Sequence, residues 1–181
     1  MPNPILKQNY FEIFSLPIST ALDLTRLKEK NHELQQQVHP DRFANSNDAE
    51  KREAMQITSW VNEAYNTLKS PVLRLQYMLA LKGVEMEGET DTAMDGAFLM
   101  QQMELREEIA DVKNQSDSLD VLDTMSRDLK NQAENLVLSF ADFYQQDELV
   151  KSREVVRKLQ FINKAQKEVS DITEQLEDEL I

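Results

Sequence analysis

Two stretches of helically spaced apolar residues meet at a proline. Leu24, Leu27, Leu34 and Val38 recur at helical intervals before it, and Ala54, Ile57, Val61, Ala64, Tyr65 and Leu68 do so after it. Between them lies His39-Pro40-Asp41. Proline disfavours the α conformation in the residue before it, so His39 is predicted to end the first helix. Two apolar stripes joined by a short turn bury each other as an antiparallel helix pair. The tripeptide then sits at the tip of the pair, exposed to a partner. A plainer reading is open: Pro40 only stops a helix, Asp41 or Asn45 only shapes the turn, and His39 is an ordinary surface histidine. By chance alone the tripeptide occurs in on the order of 1% of chains this long, and its placement alone does not choose between the readings.

The rest of the chain reads as helix too. Three glycines and five prolines in 181 residues leave few breaks, which predicts an all-α protein. Asn9 caps a short helix through Tyr10, Phe11, Ile13, Phe14 and Leu16 that Pro17 ends. A second helix runs from Asp23 or Leu24 to Val38, and a third from about Ala49 to Lys69, broken by Ser70-Pro71. The run Val72–Leu81 is apolar on several sides and is expected to be buried between two units. Gly83 to Gly96 reads as the linker. Three longer helices follow, about Ala97–Asn114, Leu119–Gln145 and Asp147–Leu180, which short connections make an antiparallel three-helix bundle. The expected organisation is therefore residues 1–82, a linker at 83–96 and a bundle at 97–181, in an L-shaped or elongated arrangement.

Charge divides along the same line. Residues 1–82 carry 10 Lys and Arg against 9 Asp and Glu, and residues 83–181 carry 10 against 24. The units thus hold about +1 and −14, which points to different partners. Nucleic-acid binding is not expected of the acidic half, because phosphate contacts need basic patches. The absence of cysteine excludes disulfides, Cys-based zinc modules, thiol nucleophiles and Cys-ligated clusters. No apolar stretch reaches membrane-spanning length and no charged-then-apolar leader opens the sequence. A cytoplasmic protein with no membrane contact is expected.

The first bundle helix has two faces. At about 100° per residue, Phe98, Leu105, Ile109 and Val112 cluster on one side. Leu99, Met100, Met103, Glu104, Glu107 and Asp111 cluster roughly 170° away. An exposed apolar patch rimmed by acids marks a partner surface, and methionine suits adaptable contacts. Phe161 lies at the edge of its own helix's apolar stripe, roughly 80° from its centre, with reach to the same surface. The alternative is that Leu99, Met100 and Phe161 pack under the first unit or complete the bundle core. Elsewhere the chemistry is sparse. His32 and His39 share a helix face, but Pro40 frays that end and no third soft ligand is present, so no metal site is assigned. Trp60 reads as packing, Glu107-Glu108 lacks a nucleophile or enclosed pocket, and no phosphate-binding loop occurs. No catalytic residue and no cofactor is expected.

Several segments resemble a known family. Tyr10-Phe11-Glu12-Ile13-Phe14, His39-Pro40-Asp41-Arg42-Phe43 and Ile57 to Pro71 resemble a J-domain co-chaperone. Phe98-Leu99-Met100, Met103 to Glu108 and Val156 to Phe161 are similar to the bundle of HscB-type co-chaperones. That family delivers the iron–sulfur scaffold IscU to HscA, a DnaK-class chaperone, and stimulates its ATPase. The resemblance implies that His39, Pro40, Asp41 and Arg42 meet the chaperone, with Arg26, Lys28 and Lys30 as the basic approach. It places the scaffold on Leu99, Met100, Met103, Glu104, Glu107, Asp111 and Phe161. Met103 and Asp111 stand where relatives often carry Leu and Glu. The lack of cysteine fits the bacterial form, without the tetracysteine module of some eukaryotic members.

Chemically, Asp41 can accept a charge-assisted bond from a partner arginine, and Pro40 presents it at little ordering cost. One departure concerns Gln35-Gln36-Gln37-Val38, which replaces basic residues and a tyrosine usual in J-domains. Steering toward an acidic chaperone surface is therefore expected to be weak, which leans toward a dedicated partner. Other readings are an adaptor that brings a different client to a general DnaK-class chaperone, and a structural helical protein in which the tripeptide is accidental.

Overall fold

Asn9 opens the first α-helix with a reciprocal cap. Its Oδ1 accepts the Glu12 N–H at 3.0 Å, and a Glu12 carboxylate oxygen accepts the Asn9 N–H at 2.8 Å. The computed structural model describes residues 3–38, 47–86, 96–112, 115 and 117–179. Its helices are α1 (Tyr10–Ile13), α2 (Leu24–Val38), α3 (Asp48–Lys69), α4 (Pro71–Leu81), α5 (Gly96–Val112), α6 (Ser118–Gln145) and α7 (Leu149–Asp178), with a 3-10 turn at Pro4–Lys7. No strand occurs among the described residues. The chain divides into two compact units, Met1–Met78 and Leu79–Ile181.

In the first unit, α2 and α3 run antiparallel. The Thr58 hydroxyl donates to the Val38 carbonyl at 3.1 Å, and Gln35 Nε2 donates to Asn62 Oδ1 at 2.9 Å. Moving backward along α2 thus moves forward along α3. Asp23 caps α2 through the Thr25 and Arg26 amides, and Asn47 forms a capping box with Glu50 at the start of α3. Of the two helix ends that border residues 39–46, the start of α3 is held by the Asn47 box and the end of α2 by the Thr58 bond to Val38. Leu27 from α2 and Ile57, Val61, Ala64 and Leu68 from α3 are buried with Phe11 and Phe14.

α1 is shorter than its apolar run predicts. It ends at Ile13, ahead of Leu16 and Pro17, because Ser15 adopts a left-handed conformation (φ 52°) that no helix continues through. Tyr10 stacks on Tyr77 at 4.2 Å and meets Trp60 edge-on at 5.0 Å. Its amide donates to the Tyr77 hydroxyl. Trp60 thus packs within the first unit.

Arg74 is buried without a carboxylate partner among the described residues. It donates to the Leu68 carbonyl at 2.7 Å and the Thr20 carbonyl at 2.9 Å, tying the segment before α2 to the end of α3. Burial pulls its pKa downward. On α4, Val72, Leu75, Met78 and Leu79 are buried, whereas Leu73 and Leu81 face water. That helix is less completely covered than its composition suggests.

In the second unit, α6 and α7 form the closest helix pairing, and α5 lies against both. Ile109 and Val112 of α5, Leu122 and Leu129 of α6, and Ile162, Ala165, Val169 and Ile172 of α7 make the core. α7 starts at Leu149 rather than Asp147, since Asp147 takes φ 60° in the turn after α6. Lys82 secures that turn, donating to the Tyr144 carbonyl at 3.0 Å and to Asp147 Oδ1 at 2.7 Å.

Candidate functional site

The turn angle of α5 decides which side chains meet water. Ile109 and Val112 are buried, and Phe98 and Leu105 are half-buried behind them. On the opposite side Met100 is 65% exposed, Met103 64% and Leu99 43%. Glu104, Glu107 and Asp111 are exposed too. Large apolar side chains are exposed singly on other elements, as at Met55, Leu138 and Val150. Only on α5, among the described residues, do three fall within one and a half turns of one helix. No ion pair among the described residues engages Glu104, Glu107, Glu108 or Asp111. The stripe therefore offers an apolar strip with uncompensated negative charge beside it.

Phe161 of α7 is placed differently from the three stripe residues. It is half-buried, and its ring meets Phe98 edge-on at 5.8 Å and 83°. The Arg106 guanidinium lies 5.9 Å from the Phe161 centroid, and Lys158 Nζ lies 5.4 Å from that of Phe98. This aromatic pair joins α5 to α7, with a cation on each ring. Arg106 and Lys158 were not singled out by the sequence reading. Lys158 stands three residues before Phe161 on a helix, a spacing that shares a face and was available as a signal. Phe161 also borders a groove with Glu104, Glu108 and Gln132, so one acidic stripe residue and the aromatic pair do come together.

On the first unit, His39, Pro40, Asp41 and Arg42 lie outside the described residues. Of the basic residues before them, Arg26 and Lys28 are exposed, while Lys30 pairs with Glu33 at 2.7 Å. Gln36 Nε2 lies 2.9 Å from His32 Nε2, and Gln35 is bonded to Asn62, so part of the glutamine run is occupied within the helix pair. Among the described residues no three His, Cys, Asp or Glu side chains converge to hold a metal ion. None of the described helices is long and apolar enough to cross a membrane.

Residues 94–170, which span the exposed stripe and the aromatic pair, match a family model described as the HSCB C-terminal oligomerisation domain. A co-chaperone protein HscB homolog of Psychromonas ingrahamii is 43% identical over 94% of this chain and 99% of its own length. One from Burkholderia cenocepacia is 42% identical over 95% and 98%. The chain belongs to the HscB co-chaperone family.

The fold agrees across the whole HscB architecture. Chaperone HscB from Vibrio cholerae superposes with a TM-score of 0.86 at 36% identity, covering 93% of this chain and 99% of the other. Human co-chaperone protein HscB gives 0.82 at 26% identity, covering 93% and 83%. The first unit is accordingly a J-domain and the second the C-terminal helical domain of an HscB protein. The matches run along nearly the whole of both chains and are not confined to one module.

Proposed function

We propose that this chain is a cytoplasmic co-chaperone that delivers an IscU-type iron–sulfur scaffold to an HscA or DnaK-class chaperone and stimulates the chaperone's ATPase. The observation that carries the scaffold half of the reading is the α5 stripe. Leu99, Met100 and Met103 stand in water on a well-formed helix, with Glu104, Glu107 and Asp111 beside them. An apolar surface of this kind gains by burial against a partner. The family supports the chaperone half, through His39-Pro40-Asp41 and the exposed Arg26 and Lys28 of α2.

In this reading the protein performs no bond chemistry itself. One unit holds the client, and the other shifts the chaperone toward the state that hydrolyses ATP. The coupling comes from holding both partners on one chain, which raises their effective concentration for each other.

The test is single-turnover ATP hydrolysis by the purified chaperone, with this protein added alone, with scaffold, and as Asp41→Asn. Stimulation that scaffold amplifies and that the Asp41→Asn variant lacks is the expected result. Equal stimulation by the variant, or none by the native chain under any condition, overturns the chaperone half.

A further inference from the structure

With no cysteine in the chain, its readily oxidised sulfur is that of eight methionines. Their surroundings differ. Met78 is 2% exposed in the core. Met86 is half-buried, and so is Met125, in a groove between α5 and the start of α6 that Val121, Glu104, Glu107, Glu108 and Asp111 also line. Met55 is exposed, on α3 of the first unit. Met1 and Met94 lie outside the described residues. Met100 and Met103 are 65% and 64% exposed, three residues apart on one face of α5.

We propose that Met100 and Met103 are a paired site of reversible oxidation, at which hydrogen peroxide turns the apolar stripe polar and opposes docking of the scaffold. This rests on the scaffold docking proposed above, to which it adds control by a chemical signal. In the reaction a sulfur lone pair attacks one peroxide oxygen. The S–O bond forms as the O–O bond breaks, and the transferred oxygen passes its proton to the departing hydroxide, which leaves as water. Sulfur loses two electrons and peroxide gains them, so no further reactant is consumed. Burial denies peroxide access to Met78, whereas Met100 and Met103 meet it from solvent. Glu104, Glu107 and Asp111 beside them do not repel it, because hydrogen peroxide carries no charge.

The pairing gives the modification its effect. Two side chains on one helix face enter the same contact. A sulfoxide oxygen is a polar acceptor, and burying it against an apolar surface without a donor is unfavourable. Oxidation at either position thus opposes docking, and oxidation at both opposes it twice. Since both side chains already stand in water, the fold loses little.

The experiment treats the full chain with hydrogen peroxide and removes the oxidant before apo scaffold protein is added, so that only this chain has met it. Peptide mass spectrometry locates the added oxygen, and calorimetry measures scaffold affinity before treatment, after it, and after repair by the two methionine sulfoxide reductases, one for each sulfur epimer. Oxygen is expected on Met100 and Met103 ahead of Met78 and Met125. Affinity is expected to fall roughly tenfold to hundredfold, with thermal melting unchanged, and to return on repair. Met55→Leu is expected to lose affinity on treatment as the native chain does, whereas Met100→Leu with Met103→Leu keeps after treatment whatever affinity it had before. Oxygen that reaches Met78 or Met125 first overturns the site. So does a loss of affinity equal in the double leucine variant, or one that follows a lowered melting temperature. If oxidised Met100 and Met103 leave affinity unchanged while Met100→Ala with Met103→Ala loses binding, the oxidation inference falls and the docking reading stands. If the double alanine variant also binds as the native chain does, the docking reading itself falls.

Discussion

Replacing Met100 and Met103 together by alanine separates binding from folding. Full burial of a methionine side chain is worth about 1.5–3 kcal/mol. Here Met100 is 65% exposed and Met103 64%, so folding has gained only about a third of that at each position. The remaining two-thirds, about 1–2 kcal/mol per residue, is left for a partner. Losing both then costs roughly 2–4 kcal/mol of binding, a fall of about 30- to 700-fold in affinity for the scaffold. Alanine is the best helix former, so α5 keeps its propensity. Calorimetric titration with scaffold checks the first half, and urea unfolding followed by circular dichroism checks the second. The reasoning is refuted if affinity is unchanged, or if it falls only in step with a lower unfolding midpoint. The second outcome would mean that the methionines support the fold after all.

Two further outcomes concern the J-domain. Arg74→Met keeps the aliphatic stem but removes two charge-assisted bonds, to Leu68 and Thr20. Relief of the buried charge offsets part of that loss, leaving a net cost of about 2 kcal/mol. Trp60 is the lone tryptophan and packs on Tyr10, so its fluorescence reports this unit; an unchanged urea midpoint would refute the role given to Arg74. Tyr10 has its pKa raised well above 10, first by burial and then by its bond to Glu63. Its unfolded form therefore loses its proton first, and stability present below about pH 10 falls as pH rises further. Tyr10→Phe should flatten that alkaline limb in a pH series of thermal melts, and an equally steep limb would count against the assignment.

The stripe on α5 was readable because it depends only on local geometry. A rotation of about 100° per residue separates Met100 and Met103 from Ile109 and Val112 whatever α5 packs against. Phe161 was harder to read. Its position at the edge of the α7 stripe was visible, but whether it faces solvent or Phe98 depends on the distance and angle between two helices. The groove between α5 and α6 was not readable for the same reason. Val121 and Met125 lie on a different helix from Glu108, and only packing brings them together. Ser15 and Asp147 are another kind of case. Apolar spacing and Pro17 set the expected helix limits, yet left-handed backbone at these two residues moved them.

The sequence by itself determined the all-α class, most helix limits and the outward identity of Leu99, Met100 and Met103. These follow from periodicity, capping residues and the scarcity of glycine and proline, each of which acts within a few residues. Family membership is written there as well, since 43% identity runs along nearly the whole chain. Tertiary structure alone decided that Arg74 is buried between two carbonyls, that Phe98 and Phe161 meet beneath a pair of cations, and that four carboxylates line one groove. Those arrangements depend on helix-to-helix distance and orientation, which close packing of the cores sets and no short stretch of sequence specifies.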